Sequence, residues 1–298
     1  LVNRIRKFDT STLIFYEPLA FGVFFPDSKL DTGTGFDRVP GLLTDPNAAQ
    51  KSVLSYHGFC WILQSTTDSE SMTWWSKIAC DYILTPLVFK NTQNSIQRTG
   101  GGRFLTSFSQ CDQDGQWNSL NRTECDTVLN KADEQFQSWT YWGGNLLDSS
   151  GNPIANQIKF LVRPYPMATR GSPINLSFNP ETGEFRYEFS LNTSGLWAND
   201  SVAVIFLPLK EHYAAGAFVR ISPQLIKFVL ERNRLRLWTS LGGLIGQVNV
   251  TVTITRGCPP TNQSTTLSPL SSTASSPSST LSPSFSTPTS TSSPNPCK

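Results

Sequence analysis

The spacing of apolar residues changes character near residue 157, and that change limits the folds open to the chain. Before it, short apolar runs alternate with stretches of helical spacing. Residues 12–24 run Thr-Leu-Ile-Phe-Tyr-Glu-Pro-Leu-Ala-Phe-Gly-Val-Phe, which reads as a buried parallel strand and the loop after it. Ser52-Val53-Leu54-Ser55-Tyr56-His57, Phe104-Leu105-Thr106 and Ser138-Trp139-Thr140-Tyr141-Trp142 read as three further strands, with helices over 70–90 and 124–137 between them. Strands alternating with helices imply βα units and a parallel sheet. From Ile158 onward the chain offers strand after strand, as in Phe185-Arg186-Tyr187-Glu188-Phe189 and Val248-Asn249-Val250-Thr251-Val252, broken by turns such as Asn179-Pro180-Glu181-Thr182-Gly183. That pattern predicts an antiparallel sandwich. Beyond Cys258 about three quarters of the residues are Ser, Thr or Pro, too few apolar groups to offset the entropy of ordering them. The expected organisation is an α/β unit over 1–156, a β-sandwich over 157–257 and a disordered, mucin-like tail over 258–298.

Composition excludes some functions and points toward a compartment. Charged residues make up 15% of the chain and the net charge is +2, with no basic run interleaved with aromatics, so nucleic acid is not an expected partner. The six cysteines have no CxxC spacing, which is not the pattern of a zinc site, and no metal or cofactor is expected. Sequons at Asn121, Asn175, Asn192, Asn199, Asn249 and Asn262, together with the Ser/Thr/Pro tail, imply a secretory or extracellular protein. There, Cys111 and Cys125 bracket a short polar loop and are the first choice for a disulfide, with Cys60 and Cys80 second; sequence does not fix the pairing. No run of 18 apolar residues is present to span a membrane. The chain opens Leu-Val-Asn-Arg-Ile-Arg-Lys, without Met or an apolar leader, and so reads as starting within a longer gene product.

The order of motifs carries a family resemblance. Phe15-Tyr16-Glu17-Pro18, then Gly35-Phe36-Asp37-Arg38-Val39-Pro40-Gly41, then the segments around His57, Phe104–Ser109, Ala132-Asp133, Trp139 and Arg163-Pro164-Tyr165-Pro166 resemble endoglycoceramidases, members of glycoside hydrolase family 5. The resemblance runs over residues 10–256. It implies that the four α/β strands are the fifth to eighth of a TIM (β/α)8 barrel, so that the chain is the C-terminal half of that barrel followed by the sandwich. Active-site residues of such barrels project from the carboxyl ends of the strands.

The same resemblance implies a site and a defect in it. A retaining glycosidase needs two carboxylates about 5–5.5 Å apart. The family's nucleophile segment looks like Phe-Leu-Thr-Glu-Phe-Gly; here it reads Phe104-Leu105-Thr106-Ser107-Phe108-Ser109, with Ser107 in the Glu position. The family's acid/base Glu lies in an Asn-Glu-Pro segment on the fourth strand, which would be upstream of Leu1. Glu17-Pro18 resembles that dipeptide, but its flanks match the fifth strand, and Glu17 is not assigned the acid role. The family's His-x-Tyr pair reads His57-Gly58-Phe59, so the hydroxyl that would hold the nucleophile is absent as well. Sugar contacts are expected from His57 and Phe59, and stacking from one of Trp139 and Trp142, which alternation turns to opposite faces.

Other constellations point elsewhere. Gly100-Gly101-Gly102 precedes a strand and reads as a loop, not a phosphate cradle. Ser107, His57 and Asp112 lack the Gly-x-Ser-x-Gly elbow of a serine hydrolase. His212 falls in the sandwich and reads as structural. The expected partner is a glycosphingolipid or glycan, with peripheral contact to lipid. Three functions follow: a glycosidase-family polypeptide expected to be inactive, a secreted glycolipid- or glycan-binding pseudoenzyme, or a mucin-tailed surface glycoprotein whose barrel merely folds.

Overall fold

A computed structural model describes residues 1–18, 23, 34–58, 74–108, 120–141, 146–240, 242 and 246–257. The Ser/Thr/Pro tail, Phe59, Trp142, Asp112 and Cys111 lie outside the described residues. The first unit is a parallel sheet, β1 (Ile14–Tyr16), β2 (Ser52–His57) and β3 (Gly102–Ser107), in the order β1-β2-β3. Two expected strands are shorter than the sequence reading. β1 covers three residues, and among the described residues the segment around Trp139 contributes one parallel bridge, to Leu105. In that bridge the Leu105 N–H donates to Ser138 O (3.1 Å) and the Thr140 N–H donates to Leu105 O (2.9 Å). For the Trp139 segment the reason lies in β3, whose register shifts just after Leu105 and which ends at Ser107, leaving little regular strand to pair.

After a short helix α1 (Val2–Ile5), the helical layer comes from α2 (Trp74–Ala79), a π-type turn (Cys80–Leu84), α3 (Thr85–Thr99) and α4 (Leu120–Glu134). α2, the π turn and α3 form one unbroken rod. Pro86 explains the turn: without an N–H, it cannot continue a regular helix, and a wider turn absorbs the mismatch. The rod ends at Gly100 and Gly101, both at positive φ; a Cβ on Gly101 would lie 2.7 Å from Ser52 O. Glycine is therefore what lets α3 turn tightly into β3. α3 and α4 cover one face of the sheet, burying Tyr56, Phe89, Leu105, Phe108 and Leu129. On the opposite face, half-exposed Phe15 meets Phe104 edge-on at 5.7 Å. Cys80 and Cys125, on this helical layer, are both disulfide-bonded. Among the described residues no helix is long and apolar enough to cross a membrane.

The second unit follows α5 (Ala155–Ile158). Its strands are β4 (Tyr165–Thr169), β5 (Ser172–Phe178), β6 (Phe185–Asn192), β7 (Ser201–Phe206), β8 (Ala217–Ser222), β9 (Ile226–Glu231), β10 (Arg234–Thr239) and β11 (Gln247–Arg256), with the short helix α6 (Leu209–His212) after β7. They form two four-stranded antiparallel sheets, β4-β7-β10-β9 and β5-β6-β11-β8. β6 shows why: Phe185, Tyr187, Phe189 and Leu191 are buried while Arg186 and Asn192 face out, the period-two alternation of a half-covered sheet. Asn192, Asn199 and Asn249 are exposed on this unit and Asn175 is half-buried.

A buried polar seam joins the units. Arg163 donates to Asp133 Oδ2 from Nε (3.0 Å) and Nη2 (2.7 Å) and lies 5.0 Å from the Phe178 ring. Removing either partner would strand a buried charge. Burial pushes the Asp133 carboxyl above its ordinary range, against the pull of Arg163. Beside the seam, the buried His212 ring donates from Nε2 to Val162 O (2.7 Å) and packs edge-on against Phe178. Its burial lowers its pKa to about 4, so it is neutral and structural, as its place in the sequence implied.

Candidate functional site

Three parallel strands bring their carboxyl ends together, and each ends on a residue of chemical interest. Glu17 follows β1, His57 closes β2 and Ser107 closes β3. His57 Nε2 lies 2.8 Å from Glu17 Oε1, with the side chains 39% and 50% exposed. Sequence reading had not joined these two. The signal that could have done so is that neighbouring parallel strands end in Glu-Pro and His-Gly.

The position of Ser107 depends on a local irregularity. Tyr56 pairs with Leu105, yet His57 pairs with Ser107, so Thr106 is an extra residue on β3. Its hydroxyl holds the bulge by bonding to Tyr56 O (3.0 Å) and Ser55 Oγ (2.9 Å). Strict alternation would send residue 107 to the helix side with Leu105. The bulge instead sets it opposite His57, the re-aiming that bulges supply beside functional sites. The Gly58 N–H donates to Ser107 O (2.8 Å), locking the two strand ends. The Ser107 hydroxyl is buried and makes no hydrogen bond among the described residues.

Chemically, this arrangement holds a carboxylate paired with an imidazole, and a buried hydroxyl beside them. The hydroxyl is not hydrogen-bonded to His57, so the nucleophile–base contact of a serine hydrolase is absent. A serine at this position also cannot act as the attacking carboxylate of a retaining glycosidase.

Trp139 is not on this face. Its bridge to Leu105 puts it on the helix side, where it stands edge-on to Phe108 at 5.4 Å. The sequence leaves open which of Trp139 and Trp142 would stack on a sugar; strand pairing with a buried leucine turns Trp139 into packing, and Trp142 lies outside the described residues. Trp139 also lines a cavity of about 730 Å³ at the junction of the two units, together with Phe136, Tyr165, Met167 and Tyr187. None of Glu17, His57 or Ser107 lines that cavity.

The sandwich decides what the chain is similar to. Residues 163–254 match the glycoside hydrolase family 5 C-terminal domain. The chain resembles the C-terminal half of an endoglycoceramidase. Over 107 residues it is 33% identical to endoglycoceramidase I of Rhodococcus hoagii (strain 103S), a stretch equal to 35% of this chain and 19% of that protein. Endo-glycoceramidase II from Rhodococcus sp., solved with a five-membered iminocyclitol, superposes with a TM-score of 0.57 at 19% identity, over 86% of this chain and 53% of that one. Cryptococcus neoformans sterylglucosidase 1, solved with Tris, gives a TM-score of 0.56 at 14% identity, over 85% of this chain and 42% of the other. At such identities the two solved structures speak for the fold. The chain spans about half the length of the endo-glycoceramidase II structure.

Proposed function

We propose that this chain is the later half of an endoglycoceramidase-like glycoside hydrolase in which hydrolysis has been lost at residue 107. On this reading β1, β2, β3 and the Trp139 segment take the places of the fifth to eighth strands of a TIM barrel. Their parallel order, with Glu17, His57 and Ser107 all at the carboxyl ends, supports it. The observation that carries the proposal is the bulge at Thr106, which aims residue 107 at the site while that residue is a serine. Incubated with a ganglioside, the purified chain is expected to release no oligosaccharide, and a mechanism-based fluorosugar to leave no covalent adduct detectable by mass spectrometry. Turnover with Ser107 in place, or an adduct on Glu17, would overturn the reading.

A second reading, a secreted glycan-binding protein without turnover, draws on the Glu17–His57 pair. An imidazole fixed by a carboxylate at a strand end is a directed hydrogen-bonding group for a sugar hydroxyl, and it needs no nucleophile. Isothermal titration with a ganglioside oligosaccharide should give measurable heat that His57→Ala removes. The secretory assignment draws on the exposed Asn192, Asn199 and Asn249 and on the disulfide-bonded Cys80 and Cys125. Expressed through a secretory eukaryotic host, the product should exceed 33.0 kDa and fall stepwise on removal of N-glycans; an unmodified mass would count against that compartment.

A further inference from the structure

The helix that leads toward the candidate site has its polarity reversed. In the segment Trp74–Leu84, the charged residues are Lys77 and Asp81. They pair with each other and are largely covered, at 17% and 15% exposure. Ser76 and Cys80 are buried as well. The apolar side chains take the solvent side instead: Trp74 is 69% exposed and Tyr82 78%, with Trp75, Ile78 and Ile83 exposed beside them. Helices at a protein surface ordinarily bury the apolar stripe and expose the charges. Here the reverse holds over three turns. Single exposed apolar residues need no explanation, but a contiguous aromatic and aliphatic face marks an interaction surface.

Its location follows from chain direction. α3 ends in the Gly100-Gly101 turn that feeds the amino end of β3, and it packs back along β2 and β3. It therefore runs antiparallel to the strands. Fifteen helical residues rise about 22 Å and six strand residues about 20 Å, so Thr85 stands level with the carboxyl end of the sheet. The Trp74–Leu84 segment continues the same rod beyond that level, braced on its inner side by α4. The reversed face thus stands out past the end of the sheet that holds Glu17, His57 and Ser107.

We infer that Trp74–Leu84 is a lipid-surface contact, a helix whose outer face lies in the headgroup region of a bilayer and holds the strand ends toward lipid-borne sugars. The composition selects this occupant. Two Trp and a Tyr with two Ile are the side chains that settle at a membrane–water boundary, where an apolar ring and a polar ring atom are both satisfied. The outer face carries no charge that would have to be desolvated. The inference rests on the glycolipid reading for its purpose but not for its measurement.

The test is co-sedimentation of the full chain with phosphatidylcholine vesicles, with and without ganglioside, alongside the variant Trp74→Ser/Ile78→Ser/Tyr82→Ser. Those positions are exposed, so circular dichroism and thermal midpoint should match wild type. Wild type should pellet with ganglioside-free vesicles, with a blue shift in tryptophan emission, and the variant should bind at least tenfold more weakly. Wild type left in the supernatant, or a variant that binds equally, would overturn the inference. So would a wild-type dimer by light scattering that the variant dissolves, with no vesicle binding. Retention of soluble ganglioside oligosaccharide tests the site separately: vesicle binding without sugar binding keeps the lipid contact and removes the glycolipid reading, and the converse result removes the lipid contact alone.

Discussion

The sandwich and the parallel sheet meet the same packing problem in different ways. In the sandwich, each sheet covers the other's apolar face, and Phe185, Phe189, Leu191 and Ile205 are wholly enclosed. Among the described residues, helices cover the parallel sheet on one face; on the other, half-exposed Phe15 meets half-buried Phe104. The sandwich completes its own core within contiguous sequence. The parallel sheet has a helix-covered side and, among the described residues, a side without helices, where the strand ends carry their polar residues.

The sharpest way to break this contrast is a matched pair of truncations followed by urea unfolding. Phe189→Ala removes an enclosed ring and should cost about 3–5 kcal/mol. Phe15→Ala removes a half-exposed ring and should cost only about 1 kcal/mol. Equal losses would mean that the Phe15 side is covered in solution.

A smaller effect should appear at the seam between the units. The folded protein holds His212 neutral, with its pKa at about 4 instead of the usual 6.5. The unfolded chain therefore binds a proton that the folded chain refuses. Its contribution is complete above about pH 6.5 and is lost as pH falls toward 4, by about 3 kcal/mol in all. Unfolding free energies of wild type and His212→Gln, followed from pH 7 to pH 4, should converge or cross as wild type weakens. Parallel curves would show that the ring is not held neutral.

The smallest effect belongs to the exposed pair at the strand ends. Glu17→Gln should change the unfolding free energy by less than about 1 kcal/mol, since solvent-exposed ion pairs contribute little. A larger loss in the same urea titration would place the pair in a closed environment and narrow the difference between the two units.

How far the sequence carried the reading follows the same division. Alternation along β6 and β11 was legible because a two-residue period is a local property. β2 and β3 were legible for the same reason, as runs of apolar residues between glycines and polar turns. The facing of Trp139 was not, because it is set by which residue of β3 it pairs with, and that residue is Leu105. Ala132-Asp133 and Arg163-Pro164 were each visible as motifs; their union is a contact across thirty positions of chain, which no periodicity reports. Glu17 and His57 met for the same reason, through the order of strands. Thr106 gave no sign that it is the extra residue in its strand.

That extra residue has a consequence for how position 107 can change over time. The direction in which its side chain leaves the strand is written in the backbone and in the hydroxyl of Thr106, not in the side chain itself. A mould of this kind outlasts what is cast in it. Replacing the serine alters the chemistry at the strand end in one step and leaves the aim unchanged, whereas losing Thr106 would redirect any residue placed there. The aim of this strand end is therefore held by the shape of the chain at 106, and the group at 107 is the part most easily changed.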